Sequence, residues 1–153
     1  MEVVISEYSD KYKHAAKELI ISILEGEFGH YNIDRPDLDT ISSYYQTNGG
    51  NFWLAFYGGR VIGTVGLKDY NGKAYLQRMM IRKDFRGTGV AQKLLSEVIN
   101  FAKSVGFSEI YLATSLNLEA ANRFYHKHGF KKIKQLPSEI PTPIAKIYYK
   151  KEI

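Results

Sequence analysis

One stretch in the second half of the chain repeats apolar residues at the period of a helix. Seven apolar residues follow the spacing i, i+3, i+4, i+7, i+10, i+11 and i+14, which places them on one face of a helix. They are Ala91, Leu94, Leu95, Val98, Phe101, Ala102 and Val105. Gly106 follows them, and glycine commonly ends a helix. The pattern predicts a long amphipathic helix that is opened by residues 86–89.

The centre of the chain has the pattern of an antiparallel meander. Residues 52–57, 61–67 and 74–81 are three runs rich in strand-forming side chains. Gly58-Gly59 separates the first two runs, and Asn71-Gly72 separates the last two. Both pairs favour the tight turns that join antiparallel strands. We therefore predict three consecutive antiparallel strands.

The flanking segments add helices and strands on both sides of this meander. Before it, we predict a strand over residues 2–6, a helix capped by Asp10 that ends near Gly26, and a short helix around residues 38–45. After the long helix, we predict a strand over 109–114, a helix over 118–128, and strands over 130–134 and 144–150. This order indicates an α/β fold whose mixed sheet combines the meander with a parallel strand after a helical crossover. No linker or repeat is evident, so we expect one domain over residues 1–153.

The composition narrows the class of protein. The chain has 153 residues, 44% of them hydrophobic and 14% aromatic, which excludes a disordered chain. It has no cysteine, which excludes disulfides, thiolate metal sites and a catalytic cysteine. No apolar run is long enough to span a membrane, and the first residues lack the basic head of a secretory signal. We expect a cytoplasmic protein without membrane association.

The loop that opens the long helix carries the candidate chemistry. Gly87 and Gly89 let the backbone approach a ligand, and the helix start presents free N–H groups and the positive end of the helix dipole. Arg82, Lys83 and Arg86 add positive charge. These features favour a phosphorylated ligand.

Two familiar phosphate-binding patterns do not fit this loop. The Walker pattern needs a Lys-Ser or Lys-Thr pair after the glycines, and none follows at the right spacing. The dinucleotide fingerprint needs glycine or alanine where Gln92 stands, and the strand before the loop belongs to a meander rather than to a βαβ unit.

Two segments instead resemble the GCN5-related N-acetyltransferase (GNAT) family. Arg86-x-x-Gly89-x-Ala91 is similar to the family's acetyl-CoA signature Gln/Arg-x-x-Gly-x-Gly/Ala. Downstream, Tyr125, Gly129 and Phe130 match the fixed positions of the family's late Tyr-x-x-x-Gly-Phe segment. The resemblance covers roughly residues 50–134.

The resemblance implies acetyl-CoA as co-substrate and a fold whose fourth and fifth strands separate to admit the pantetheine arm. The arm would pair with the backbone of residues 79–81, and the Met79 N–H would face the thioester oxygen. The amides of the loop would hold the pyrophosphate. The implied contact residues are Met79, Met80, Ile81, Arg86, Gly87, Thr88, Gly89, Val90, Ala91 and, from the late segment, Asn117.

Proton transfer has one candidate acid and an open choice of base. The resemblance implies that Tyr125 protonates the departing thiolate, since a phenol holds its proton at neutral pH. Without cysteine there is no cysteinyl acyl-enzyme, so we expect direct attack by an amine in a ternary complex. Many relatives carry a glutamate where Tyr75 stands, beside Leu76 and Gln77. The general base is open between a water chain, bulk solvent and a side chain of the early acidic segment, residues 25–39. The candidate side chains in that segment are Glu25, Glu27 and His30.

The charge distribution bears on the acceptor. Residues 1–76 hold 7 Lys+Arg against 10 Asp+Glu, whereas residues 77–153 hold 14 against 6. The early segment carries five carboxylates against the single Arg35; they are Glu25, Glu27, Asp34, Asp37 and Asp39. Such a wall would attract a cationic amine, either a small molecule or a peptide. A solvated acidic loop is an equal alternative.

The sequence also bears on alternative functions and on possible partners. A non-catalytic acyl-CoA sensor or scaffold of the same fold is the main alternative. A nucleic-acid-binding module could use the lysines of residues 131–151, but no reading motif is present and we expect no such partner. The four histidines lack the spacing of metal ligands, so we expect no metal. The aromatic late strand, residues 144–149, suggests a homodimer.

Overall fold

The strands of the chain join in one sheet. A computed structural model describes residues 2–31 and 33–153. The strands are β1 (Val4–Glu7), β2 (Asn51–Tyr57), β3 (Arg60–Tyr70), β4 (Lys73–Ile81), β5 (Glu109–Thr114), β6 (Lys131–Ile133) and β7 (Ile147–Glu152). Their order across the sheet is β1-β2-β3-β4-β5-β7-β6.

The pairing confirms the mixed sheet. β4 and β5 are parallel, and every other neighbouring pair in the described sheet is antiparallel. Both predicted turns of the meander are present, with positive φ angles at Gly58, Gly59, Asn71 and Gly72. β1 adds a fourth antiparallel strand to the edge of the meander, and β7 inserts between β5 and β6.

Helices cover the two faces of the sheet. They are α1 (Lys13–Gly26), α2 (Val90–Ser104) and α3 (Glu119–Lys127). Alternate residues of β2 separate two cores: Phe52 and Leu54 pack with α1, whereas Trp53 and Ala55 pack with α2. None of the described helices is long and apolar enough to cross a membrane.

Three local predictions are wrong. Asp10 opens a short 3-10 turn, and its carboxylate accepts the Tyr8 hydroxyl at 3.2 Å instead of capping α1. The helix predicted around residues 38–45 is helical but not continuous: it is divided into a 3-10 turn, Pro36–Asp39, and a π-helical turn, Ser42–Gln46. The last strand begins at Ile147 rather than at residue 144, because Ile147 is the partner of Thr114, where β5 ends.

Candidate active site

A gap opens between β4 and β5 towards their carboxyl ends. The two strands pair only at Ala74 with Ile110 and at Tyr75 with Tyr111. Beyond those pairs β5 is held by β7 on its other side, with Leu112 opposite Tyr149. Residues 79–81 of β4 therefore have an unpaired edge on the side of β5. This arrangement confirms the separated fourth and fifth strands that the sequence implied.

β4 has a bulge at Arg78 and Met79, which sets the direction of the peptide between them. The ladder to β3 pairs Gly66 with Gln77 and Thr64 with Met80, so Arg78 and Met79 both stand opposite one residue of β3. Arg78 has a φ of 58°, and its carbonyl accepts the Thr64 hydroxyl at 2.8 Å. A trans peptide points its C=O and its N–H in opposite directions. The Met79 N–H therefore points away from the Thr64 hydroxyl of β3.

The loop after β4 leads into α2 with open amides. Gly87 and Gly89 have φ angles of 75° and 90°, and a Cβ on either would meet open space. Positive φ, rather than crowding, is thus the reason for glycine at both positions. The first bond of α2 runs from the Lys93 N–H to the Gly89 carbonyl at 3.1 Å. The N–H groups of Val90, Ala91 and Gln92 have no helical partner, so this end of α2 is suited to an anion.

The Arg86 side chain is bound to other groups of the protein. Its guanidinium donates to both carboxylate oxygens of Glu27, at 2.6 and 2.8 Å, and to the Ile81 carbonyl at 3.0 Å. Arg82 likewise pairs with Asp84, at 3.2 Å. Lys83, by contrast, is exposed and has no ion pair within the described residues. Of the three cations expected to add charge to the loop, only Lys83 has a head group free of a carboxylate.

Tyr125 has a buried ring and a hydroxyl that is not completely enclosed. The ring packs against Phe130 and Tyr149, with ring centroids 5.4 and 6.3 Å away. Within residues 2–31 and 33–153 the hydroxyl has no hydrogen-bond partner, while no fully buried side-chain polar atom there is unsatisfied. The hydroxyl therefore keeps contact with solvent. Burial raises the pKa of Tyr125 well above its ordinary value, so the group carries its proton across the physiological range.

The two asparagines near the start of α3 differ in their contacts within the protein. Asn117 is exposed in the turn before α3. Asn122 instead donates to the carbonyls of Ser115 and Leu118, at 2.9 and 2.8 Å, and accepts the Tyr149 hydroxyl at 2.8 Å. Asn122 thus fixes α3, and with it Tyr125, against β5 and β7. Its spacing in the sequence gave no signal for this role.

None of the candidate bases combines burial with a free basic atom. Burial raises the pKa of Tyr75 to about 12, so this residue stays neutral. Glu27 is bound by Arg86, which lowers the pKa of its carboxyl. Glu25 lies 3.9 Å from Arg35, and His30 is exposed.

The acidic wall is mostly neutralised by the chain itself. Besides Glu25 and Glu27, Asp37 binds Arg78 at 2.9 Å and Asp39 binds Lys17. Among the described residues, Asp34 is the one carboxylate of the five without an ion pair. The electrostatic argument for a cationic acceptor is therefore much weaker than the sequence suggested.

Over the described ranges 2–31 and 33–153, no group of three or more His, Asp or Glu side chains could hold a metal ion.

A comparison with family profiles decides the family. The profile described as "Acetyltransferase (GNAT) family" matches residues 16–130. The chain belongs to the GNAT family. This GNAT chain is an acyltransferase, and several of its relatives are named as N-acetyltransferases.

Individual relatives agree with this assignment. "Probable N-acetyltransferase camello" of Xenopus tropicalis is 31% identical over 93% of this GNAT chain and 72% of its own length. "N-acetyltransferase 8" of Rattus norvegicus is 36% identical over 61% of this chain, but the match spans only 45% of the rat protein. A GNAT-family acetyltransferase from Staphylococcus aureus Mu50 has a solved structure with 35% identity, a TM-score of 0.92, and 99% coverage of both chains.

Proposed function

We propose that this GNAT protein transfers the acetyl group of acetyl-CoA to a primary amine by direct attack in a ternary complex. The observations that carry the proposal are the unpaired edge of β4 beside β5 and the Thr64 bond that holds the Arg78 carbonyl. From them we infer that the Met79 N–H faces the gap. A donor fixed in that direction can stabilise the negative charge that develops on the thioester oxygen.

The residues around the gap suit the other tasks of the reaction. The edge of β4 at residues 79–81 would bind the pantetheine arm, and the amides of residues 86–91 at the start of α2 would bind the pyrophosphate. Tyr125 would give its proton to the departing thiolate, because its hydroxyl is open and its raised pKa keeps it protonated. Asn117 remains a proposed contact to coenzyme A.

The acceptor amine would lose its proton to water. The strand position of a family glutamate is the neutral Tyr75, and Glu27 is held in an ion pair. We therefore propose that the amine enters from solvent in its neutral form, without a dedicated side-chain base. Because four of the five early carboxylates are paired, the acceptor need not be a polycation. Small-molecule amines and peptide amines are both candidates.

The test is a panel of amines assayed with acetyl-CoA on purified protein, with free thiol as the readout. The panel spans amino acids, polyamines and short peptides, and acetyl-CoA binding is measured separately by calorimetry. Thiol release above the hydrolysis background with at least one amine supports the proposal. Binding of acetyl-CoA without thiol release from any amine would replace it with the acyl-CoA-binding sensor.

Three further proposals concern the domain organisation, the oligomeric state and the location of the protein. We propose one catalytic domain over residues 1–153, a homodimer through the late strands and a cytoplasmic location. Light scattering tests the homodimer, and limited proteolysis tests whether the chain behaves as one unit.

A further inference from the structure

Arg78 has a backbone conformation that its side chain does not favour. Its φ of 58° lies in the left-handed region, where a side chain crowds the following carbonyl, and Arg78 lies within a strand rather than in a turn. Such conformations persist only where the surroundings hold them in place. On the backbone, the hydrogen bond from Thr64 to the Arg78 carbonyl is one such restraint.

The second restraint is an ion pair between the buried Asp37 and the partly buried Arg78. Arg78 donates from Nε and Nη2 to the two carboxylate oxygens of Asp37, at 3.0 and 2.9 Å. Asp37 is 6% exposed, and it also accepts the hydroxyl of the fully buried Tyr45 at 2.7 Å. A bidentate pair has a defined geometry, and at this burial its loss would leave a charge without compensation.

The ion pair joins two parts of the site that are distant in sequence. Asp37 belongs to the short turn Pro36–Asp39 in the early acidic segment, and 41 residues separate it from Arg78. Arg78 immediately precedes Met79, so the peptide that joins them carries both the carbonyl bound by Thr64 and the amide to which the proposed function gives the donor role.

We propose that the Asp37–Arg78 pair is a positioning device that holds the β4 bulge and thereby aims the Met79 N–H at the acyl group. This inference rests on the proposed function, which gives that N–H its role as a donor. Asp37 and Arg78 act through Met79 and are positioning residues. Tyr45 fixes the carboxylate, and Thr64 fixes the carbonyl on the opposite side of the same peptide.

The test compares Asp37→Asn with the wild-type protein. The amide of asparagine still accepts the Tyr45 hydroxyl but no longer forms a charged pair with Arg78. Asp10→Asn is the matched control, because Asp10 also accepts a tyrosine hydroxyl, that of Tyr8, and lies on another element. The double variant D37N/R78M removes both charges and so avoids a buried unpaired arginine if the single variant folds poorly.

Two readouts separate positioning from general stability. Steady-state kinetics gives kcat and the KM for acetyl-CoA, and isotope-edited infrared spectroscopy gives the carbonyl frequency of bound acetyl-CoA labelled at the thioester carbon. In the wild type we expect a band shifted from its position in solution, because the Met79 N–H polarises the carbonyl. In D37N and D37N/R78M we expect the band to return towards the solution value, kcat to fall roughly 10- to 100-fold, and KM to change less than about threefold.

The outcomes distinguish this inference from the proposed function. A shifted band in the wild type that stays shifted in both variants, with kcat unchanged, overturns the positioning role. A fall in kcat without movement of the band also overturns it, since the pair would then act elsewhere than on the donor. An unshifted band in the wild type contradicts the donor role of Met79 itself and therefore the proposed function.

Discussion

Arg86 and Glu27 join the loop at the start of α2 to the end of α1. The two guanidinium bonds measure 2.6 and 2.8 Å, and a third bond from Nε to the Ile81 carbonyl measures 3.0 Å. Arg86 is the arginine of the acetyl-CoA signature, and its side chain therefore fixes the entry of the loop. The loop amides, rather than the guanidinium, are left to meet the anion.

Replacing Arg86 with lysine should weaken acetyl-CoA binding. Lysine keeps the charge but cannot form the two parallel bonds to Glu27 together with the bond to Ile81. We expect Arg86→Lys to raise the KM for acetyl-CoA by roughly 3- to 10-fold, as for the loss of one or two hydrogen bonds, while kcat changes less than about twofold. Steady-state kinetics measures both. Arg60→Lys, an exposed change outside the loop, is the control, and an equal KM in the two variants would contradict the role of Arg86.

The same ion pair should contribute to acid sensitivity. Arg86 lowers the pKa of Glu27 in the folded protein below its unfolded value. A lowered folded pKa stabilises the protein above the unfolded pKa, about 4.3 for glutamate, and this stabilisation is lost as the pH falls below it. We expect the Tm difference between wild type and Glu27→Gln to be largest at pH 6–7 and to shrink towards pH 3. A difference that is constant with pH would show that Glu27 contributes no titrating interaction.

The positive φ of Gly89 should be needed for the binding of acetyl-CoA as well as for the stability of the fold. Gly89→Ala places a side chain at a φ of 90°, which costs about 1–2 kcal/mol or shifts the loop amides. We expect the KM for acetyl-CoA to rise by roughly tenfold or more, because several amides lose their common direction.

Gly72→Ala is the matched control for this change. Gly72 has a φ of 92° in the β3–β4 turn, and a Cβ there also meets open space. Both variants should lose similar stability in thermal unfolding, but only Gly89→Ala should change KM. If Gly72→Ala raised KM equally, the effect of Gly89 would be one of general stability.

The pH dependence of kcat/KM should follow the pKa of the acceptor amine rather than the pKa of a base in the enzyme. Without a dedicated base, kcat/KM should rise with pH until the amine is neutral, and the midpoint should move with the pKa of the amine used. The raised pKa of Tyr125 keeps the acid protonated, so the rate should not fall between pH 7 and about 9.5. Profiles of two amines with different pKa values provide the measurement. A midpoint that is the same for both amines would identify a base within the enzyme.

The elements that sequence predicted well are those with local signals. The apolar stripe of α2 and the turns Gly58-Gly59 and Asn71-Gly72 are recorded in neighbouring residues, and both turns are present as expected. The stripe is present up to Ala102, but its predicted last member, Val105, lies after the end of α2 and is 52% exposed. The gap between β4 and β5 came from the resemblance of the signature and of the late tyrosine segment. For the helix and the turns, short-range spacing determines the structure.

The parts that sequence missed depend on distant partners. Arg78 has no local signal for a positive φ, since its restraints come from Thr64 and Asp37. The acidic segment looked like a charged wall because Arg86, which neutralises Glu27, lies 59 residues further along the chain. A single sequence does not reveal which opposite charges meet.

Tyr125 is the proposed proton donor for acetyl transfer in the gap between β4 and β5. The most direct measurement is kcat for Tyr125→Phe with acetyl-CoA and the best amine of the panel, followed by thiol release. Tyr111→Phe is the control, because Tyr111 is also a buried tyrosine with a pKa raised to about 12, and its hydroxyl donates to Glu109 outside the site. We predict that Tyr125→Phe lowers kcat by roughly 100-fold, with acetyl-CoA affinity within about threefold of wild type, while Tyr111→Phe keeps its rate. A Tyr125→Phe variant with wild-type kcat would contradict the account.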